Sequence, residues 1–110
     1  MYDFISICSD AMYSKKIRTE VLEEYLVSML KFTKESNLIF SMESGGEIVR
    51  ITGIPANSQG NYAFNSLEGV EEVNLIEIAV PWKINDDSEK VISDIAKAIT
   101  KEYAWIIDEG

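Results

Sequence analysis

Two short runs of alternating residues constrain this chain more than any other feature. Residues 37–43 (NLIFSME) put Leu38, Phe40 and Met42 on one side and Ile39, Ser41 and Glu43 on the other. Residues 47–53 (EIVRITG) form a second strand-like run, and Ser44-Gly45-Gly46 stands between the two. Side chains of a strand point to alternate faces. A glycine-bearing turn supplies the backbone angles that a tight reversal needs. The pair therefore predicts a β-hairpin. An isolated hairpin is marginal in water, so the rest of the chain must supply more strands or a helical cover.

Further strands are readable. Residues 2–8 (YDFISIC) are rich in β-branched and aromatic residues and predict a strand. So do residues 72–80 (EVNLIEIAV), with Asn74, Ile76, Ile78 and Val80 on one face and Val73, Leu75, Glu77 and Ala79 on the other. Pro81 ends that ladder or sits at its margin. Residues 104–107 (AWII) predict a closing strand, with Trp105 as a core anchor.

Two helices are also readable. Leu22, Tyr25, Leu26, Met29 and Leu30 recur at helical spacing, which predicts a helix over about 19–32 with Thr19 as its N-cap. Glu20, Glu23 and Glu24 crowd its start, and Lys31 and Lys34 lie at or past its end, as the helix dipole favours. A second helix starts at Asp86-Asp87-Ser88-Glu89, where Asp86 and Glu89 approximate a capping box. Val91, Ile92, Ile95, Ala96, Ile99 and Tyr103 form its apolar stripe. Residues 9–18 read as a polar connector, and 55–69 as loop with a short strand possible at 61–65.

This order predicts an α+β fold: a mainly antiparallel sheet of five or six strands with two helices on one face. It is a variant of the ferredoxin-like βαββαβ unit with an extra strand or two. A length of 110 residues predicts one domain, and a hydrophobic share of 46% is enough to build its core.

Charge narrows the function. Nineteen Asp and Glu against ten Lys and Arg give a net charge of −9, with no histidine and one cysteine. The usual proton-transfer residue near neutral pH is thus absent. Cys8 sits among Phe4, Ile5 and Ile7 without a histidine to act as its base, and reads as a small buried hydrophobe. Gly45-Gly46 and Gly53 fit no phosphate-binding pattern, and the acids lack the spacing of a calcium loop. Among nineteen acids some carboxylate pairs arise by chance, so pairing alone does not indicate glycoside chemistry. We therefore expect no catalytic set, no metal and no cofactor. An acidic chain is also ill suited to phosphate backbones, which Lys and Arg must neutralise, so nucleic acid is not an expected ligand. The small basic group Lys15, Lys16 and Arg18 reads as a solvated connector. No apolar run approaches the ~20 residues of a membrane span. No basic stretch precedes the first apolar residues as in a secretory signal. The expectation is a cytoplasmic protein with no membrane contact.

The charge is unevenly spread. Residues 1–55 hold 8 acids and 6 bases, whereas residues 56–110 hold 11 acids and 4 bases. Glu68, Glu71 and Glu72 cluster before the long strand and satisfy no capping pattern, which favours a partner-facing role. Asp86 and Asp87 cluster after it; capping is their plain role and partner contact the other. Trp82, just past Pro81 and near these acids, is a candidate interface anchor. Tyr62, in the irregular loop, is a second.

The two ends of the chain carry a resemblance. Tyr2-Asp3-Phe4-Ile5-Ser6-Ile7, then Ser14-Lys15-Lys16-Ile17, then Tyr25-Leu26-Val27-Ser28 resemble small bacterial immunity proteins encoded beside polymorphic toxins, including contact-dependent inhibition systems. Ile95-Ala96 through Trp105-Ile106-Ile107-Asp108-Glu109-Gly110 is similar to the ending of the same group, although a few more residues would be expected after Asp-Glu. Together these cover about a third of the chain, and residues 44–71 carry none of it. The resemblance implies a non-catalytic protein, monomeric or weakly dimeric, that binds and blocks the C-terminal domain of one cognate toxin. Many such toxins are nucleases with basic clefts, which an acidic blocker would complement.

Two other classes remain open on sequence grounds. One is a small acidic secretion chaperone or adaptor, which would dimerise around an extended client. The other is an enzymatic or small-molecule-binding ferredoxin-like domain, since fold alone does not fix function.

Overall fold

The computed structural model describes residues 2–44, 46–57, 66–81 and 86–108. The elements run β1 (Tyr2–Cys8), β2 (Ile17–Arg18), α1 (Thr19–Glu24) with a π-helical continuation (Tyr25–Met29), β3 (Thr33–Ser36), β4 (Ile39–Ser44), β5 (Glu47–Ile54), β6 (Glu72–Val73), β7 (Leu75–Pro81), α2 (Asp86–Tyr103) and β8 (Ile106–Asp108). Six strands form one sheet in the order β3-β4-β5-β7-β1-β8, with every ladder antiparallel. β2 and β6 form a separate two-residue ladder. The class is therefore α+β, as the order of sequence patterns predicts.

The topology explains why both helices share a side. α2 joins β7 to β8 across the intervening β1, and α1 leaves β1 toward the hairpin strands that end beside β7. These are two interlocked split βαβ units, the ferredoxin-like arrangement. β3 and β4 extend the sheet past β5. One sheet face carries Ile7, Phe40, Val49, Ile51, Ile76 and Ile78, which pack with Leu22 and Leu26 and with Ile92, Ile95, Ala96 and Ile99. Burial of each such side chain stabilises the fold by roughly 1.5–3 kcal/mol before entropy is counted. Among the described residues the opposite face is covered at one end, where Cys8, Ile54, Ala56 and Leu75 form a small cluster under Tyr13. Cys8 and Trp105 are buried as their sequence contexts predict.

Four local features depart from the sequence reading. The first helix does not reach residue 32. Its winding widens after Glu24, Leu30 N–H donates to the Tyr25 carbonyl, and Lys31 turns left-handed at φ 63°. Phe32 then returns into the core, its N–H donating to the Leu26 carbonyl at 2.9 Å. Thr19 is not the N-cap: Arg18 holds that position without a side-chain bond, and the Thr19 hydroxyl donates to the Val70 carbonyl at 2.8 Å.

The third departure is β3, which falls between the helix read over 19–32 and the strand read from 37. All four of its residues are exposed, so no hydrophobic pattern marks it. It is an edge strand closed by the turn Asn37-Leu38, in which Leu38 takes φ 65° and is fully buried. Gly53 makes room for Leu38. A Cβ on Gly53 would lie 2.8 Å from Leu38 Cδ2 and 3.1 Å from Leu22 Cδ2.

Fourth, the run 72–80 is not one strand. It breaks at Asn74, so Val73 enters the helix-side core while Leu75 enters the small cluster on the other face. The sequence alternation had placed both on one face. The short strand considered at 61–65 lies outside the described residues.

Candidate functional site

The segment before β7 is fastened to the start of α1 by polar contacts that the sequence order does not reveal. Ile17 pairs with Val73 and Arg18 with Glu72. Thr19 N–H donates to the Glu71 carbonyl at 2.8 Å, beside the Thr19 hydroxyl bond to Val70. From the β3–β4 turn, Asn37 Nδ2 donates to the Leu67 carbonyl at 2.6 Å and the Val70 carbonyl at 3.3 Å. Below, Asn74 is buried and acts as a knot. Its Oδ1 accepts the Ala56 N–H at 2.7 Å, and its Nδ2 donates to the Ala56 carbonyl at 2.8 Å and the Tyr13 carbonyl at 3.0 Å.

This fastening gathers acids from two distant parts of the chain. Glu68, Glu71 and Glu72 are exposed on the fastened segment, and Glu20 and Glu23 project from α1 beside it. Between them lies an open cleft of about 500 Å³, lined by Arg18, Thr19, Glu20, Glu23, Asn37 and the stretch Gly69–Glu71. Two bases partly offset the acids. Arg18 lies 3.0 Å from Glu20, and Lys34 lies 3.1 Å from Glu23. The first pair is largely solvated and contributes little to stability, in the range of ~0–1 kcal/mol, whereas the second is only about a third exposed. The arc remains net negative, five carboxylates to two bases.

The remaining candidates do not join this arc. Asp86 is exposed at the first residue of α2, which follows β7, whereas Glu72 precedes β7. The seven residues of β7 stand between the two groups in the chain, and Asp86 is not among the residues that line the cleft. Asp87 is described by its backbone alone, and Tyr62 and Trp82 lie outside the described residues. Sequence reasoning assigned Glu20 and Glu23 to the helix dipole and missed their place in the arc. The only pointer was a two-residue ladder, too short to leave a pattern.

The chemistry of the arc is attraction of cations. Among the described residues no group of three or more His, Cys, Asp and Glu is placed to hold a metal ion. The groups with displaced titration lie elsewhere. Asp10 is held below the usual carboxylate range, first by the Ser14 hydroxyl that donates to it, then by the N–H groups of Ser14 and Met12. Burial pushes the Tyr103 hydroxyl up to about 12, aided by the charge of Glu102, and raises Tyr25 for the same reasons. These are structural groups: Asp10 folds the connector, and the two tyrosines pack edge to face at 5.6 Å between the helices.

No protein-family model matches the sequence, and no curated protein or solved structure matches it. Among the described residues no helix is long and apolar enough to cross a membrane.

Proposed function

We propose that this chain is an immunity protein that binds the basic C-terminal domain of a cognate toxin in the cytoplasm and neutralises it. The observation that carries the reading is the acidic arc. Glu71 lines one cleft with Glu20 and Glu23, and Glu68 and Glu72 flank it on the segment that backbone and amide contacts fasten to α1, on a chain of net charge −9. A fixed anionic surface of this kind raises the encounter rate with a cationic protein and rejects like-charged ones. The resemblance of both chain ends to immunity proteins supports the same reading.

The test uses the C-terminal domain encoded immediately upstream of this chain's gene. Its production alone should arrest growth, and co-production of this chain should relieve the arrest. Stopped-flow mixing should show association slowing steeply as salt rises, because attraction between solvated charges is screened beyond ~8 Å at physiological ionic strength. The double variant Glu71→Lys/Glu72→Lys should associate about tenfold more slowly at low salt and converge with wild type at high salt. Absence of binding would end the proposal. Binding whose rate ignores salt would remove the acidic arc from it.

A further inference from the structure

We infer that the helix-free face of the sheet is the surface that seats the cationic partner, an inference that rests on the function proposed above. Both helices of the fold are committed to the other face, so no helix of the described chain covers this one. A sheet face left to water normally carries polar residues at its alternate positions. Here it carries three large apolar side chains: Phe4 is 62% exposed, Ile48 49% and Ile106 49%. Strand register places the first two near one another. Phe4 opposes Ala79, Ala79 opposes Arg50, and Ile48 lies two residues from Arg50 on the same side. Ala79, with its small side chain, thus lies between Phe4 and Arg50, and Ile48 stands one diagonal step further along β5.

Charge selects the occupant. The described side chains of this face include Glu43 and Glu77, while Arg50 is already bonded to Glu35 at 3.2 Å. A second copy would bring −9 against −9, and an anionic lipid surface would be repelled in the same way. A folded protein domain with apolar residues ringed by Lys and Arg meets both demands of the face. Six strands about 4.8 Å apart and roughly 20 Å long give on the order of 500 Å² of projected surface. Standard interfaces bury about 800 Å² per partner, so the face supplies part of one and the partner must also reach beyond its rim. Long-range attraction and short-range hold are thereby divided: the acidic arc speeds the encounter, and the sheet face retains the partner.

The experiment pairs the same upstream-encoded domain with two double variants, Phe4→Ala/Ile48→Ala on the sheet and Val21→Ala/Val27→Ala on the exposed side of the first helix. The sheet variant should dissociate about a hundredfold faster, with the salt dependence of its association unchanged. The helix variant should stay within about threefold of wild type. Hydroxyl-radical footprinting of the wild-type complex gives a second readout independent of variant folding: Phe4 and Ile48 should be protected and Met29 should not. A sheet variant that dissociates like wild type, or a Phe4 that stays reactive in the complex, overturns the inference and leaves the proposed function standing. A domain that fails to bind wild type overturns both. A dimer of this chain dispersed by Phe4→Ala/Ile48→Ala, or binding to 3:1 phosphatidylcholine–phosphatidylglycerol vesicles lost in that variant, assigns the face to another occupant and overturns it as well.

Discussion

The two helices rest on the same face of one sheet but are held there by different forces. α2 is 18 residues long, and its stripe of Ile92, Ile95, Ala96 and Ile99 is buried along its whole length. It closes on itself: Ala104 turns left-handed at φ 57°, and Trp105 N–H donates to the Thr100 carbonyl at 3.1 Å, a Schellman ending. α1 is six residues followed by five in π winding, shorter than the ~12–15 residues at which an isolated helix becomes viable. It has no side-chain cap, and its first residue is bonded to Val70 and Glu71 instead. α2 is a helix because of its own sequence, and α1 because of its neighbours. The acidic arc is built on the second kind.

The largest test of that contrast is Asn74→Ala. The substitution removes three hydrogen bonds at a buried position and strands the Ala56 N–H and carbonyl. Each stranded group costs ~1–3 kcal/mol, so a loss of about 2–6 kcal/mol is expected in urea unfolding. β6 immediately precedes this knot and pairs with β2 at the start of α1, so amide exchange in α1 should accelerate before exchange in α2. Equal acceleration in both helices would erase the distinction between them.

Gly53→Ala comes next. The new methyl would press first on Leu38 of the β3–β4 turn and Leu22 of α1, both fully buried, and next on Val73 of β6 at 3.5 Å. Overpacking of this kind costs about 1–3 kcal/mol. The same exchange experiment should place the damage on the α1 side.

The same division decides what the sequence could disclose. Elements whose form is dictated locally were legible: the hairpin 39–54 by its alternation and glycines, α2 by its stripe, β1 by its β-branched run. Elements fixed by distant contacts were not. Thr33–Ser36 carries no buried side chain, and its strand state depends on pairing with β4. The break at Asn74 is invisible in EVNLIEIAV because a buried asparagine and a strand residue look alike until Ala56 and Tyr13 arrive. The candidate site divides in the same way. The exposure of Glu68, Glu71 and Glu72 followed from their lack of any capping pattern. Their company, Glu20 and Glu23, depends on the short β2–β6 ladder. Phe4 and Ile48 were read only as members of strands, since a sequence does not say which face of a sheet goes uncovered.

A smaller pair of substitutions sharpens the comparison. Lys31 and Ala104 close the two helices in the same left-handed conformation, at φ 63° and 57°. A non-glycine residue there carries a strain of about 1–2 kcal/mol, partly offset by the greater unfolded entropy of glycine. Lys31→Gly and Ala104→Gly should each stabilise by about 0.5–1 kcal/mol in thermal unfolding. If only Ala104→Gly does so, the π-wound ending of α1 is set by Phe32 burial and not by its left-handed residue.

The last test is read from the pH dependence of stability and concerns the joint between the helices. Tyr103 of α2 stacks edge to face on Tyr25, whose hydroxyl donates to the Ala98 carbonyl at 3.2 Å. The Tyr103 hydroxyl is buried without a hydrogen-bond partner, and burial raises its pKa from the ordinary 10.0 to about 12. Between those values the unfolded chain has lost this proton and the folded chain retains it. The folded state then binds more protons, so stability falls as pH rises through the window and is fully present below about pH 10. Tyr25 is raised by the same burial and adds to the slope in the same direction. Tyr103→Phe should therefore flatten the decline without abolishing it, read as urea midpoints at about pH 8 and about pH 11. An unchanged decline would mean that water reaches the joint. The short helix would then owe its position to the polar fastening and to the burial of Leu22 and Leu26, with the tyrosine hydroxyls adding no pH-sensitive contribution to the joint that holds the acidic arc.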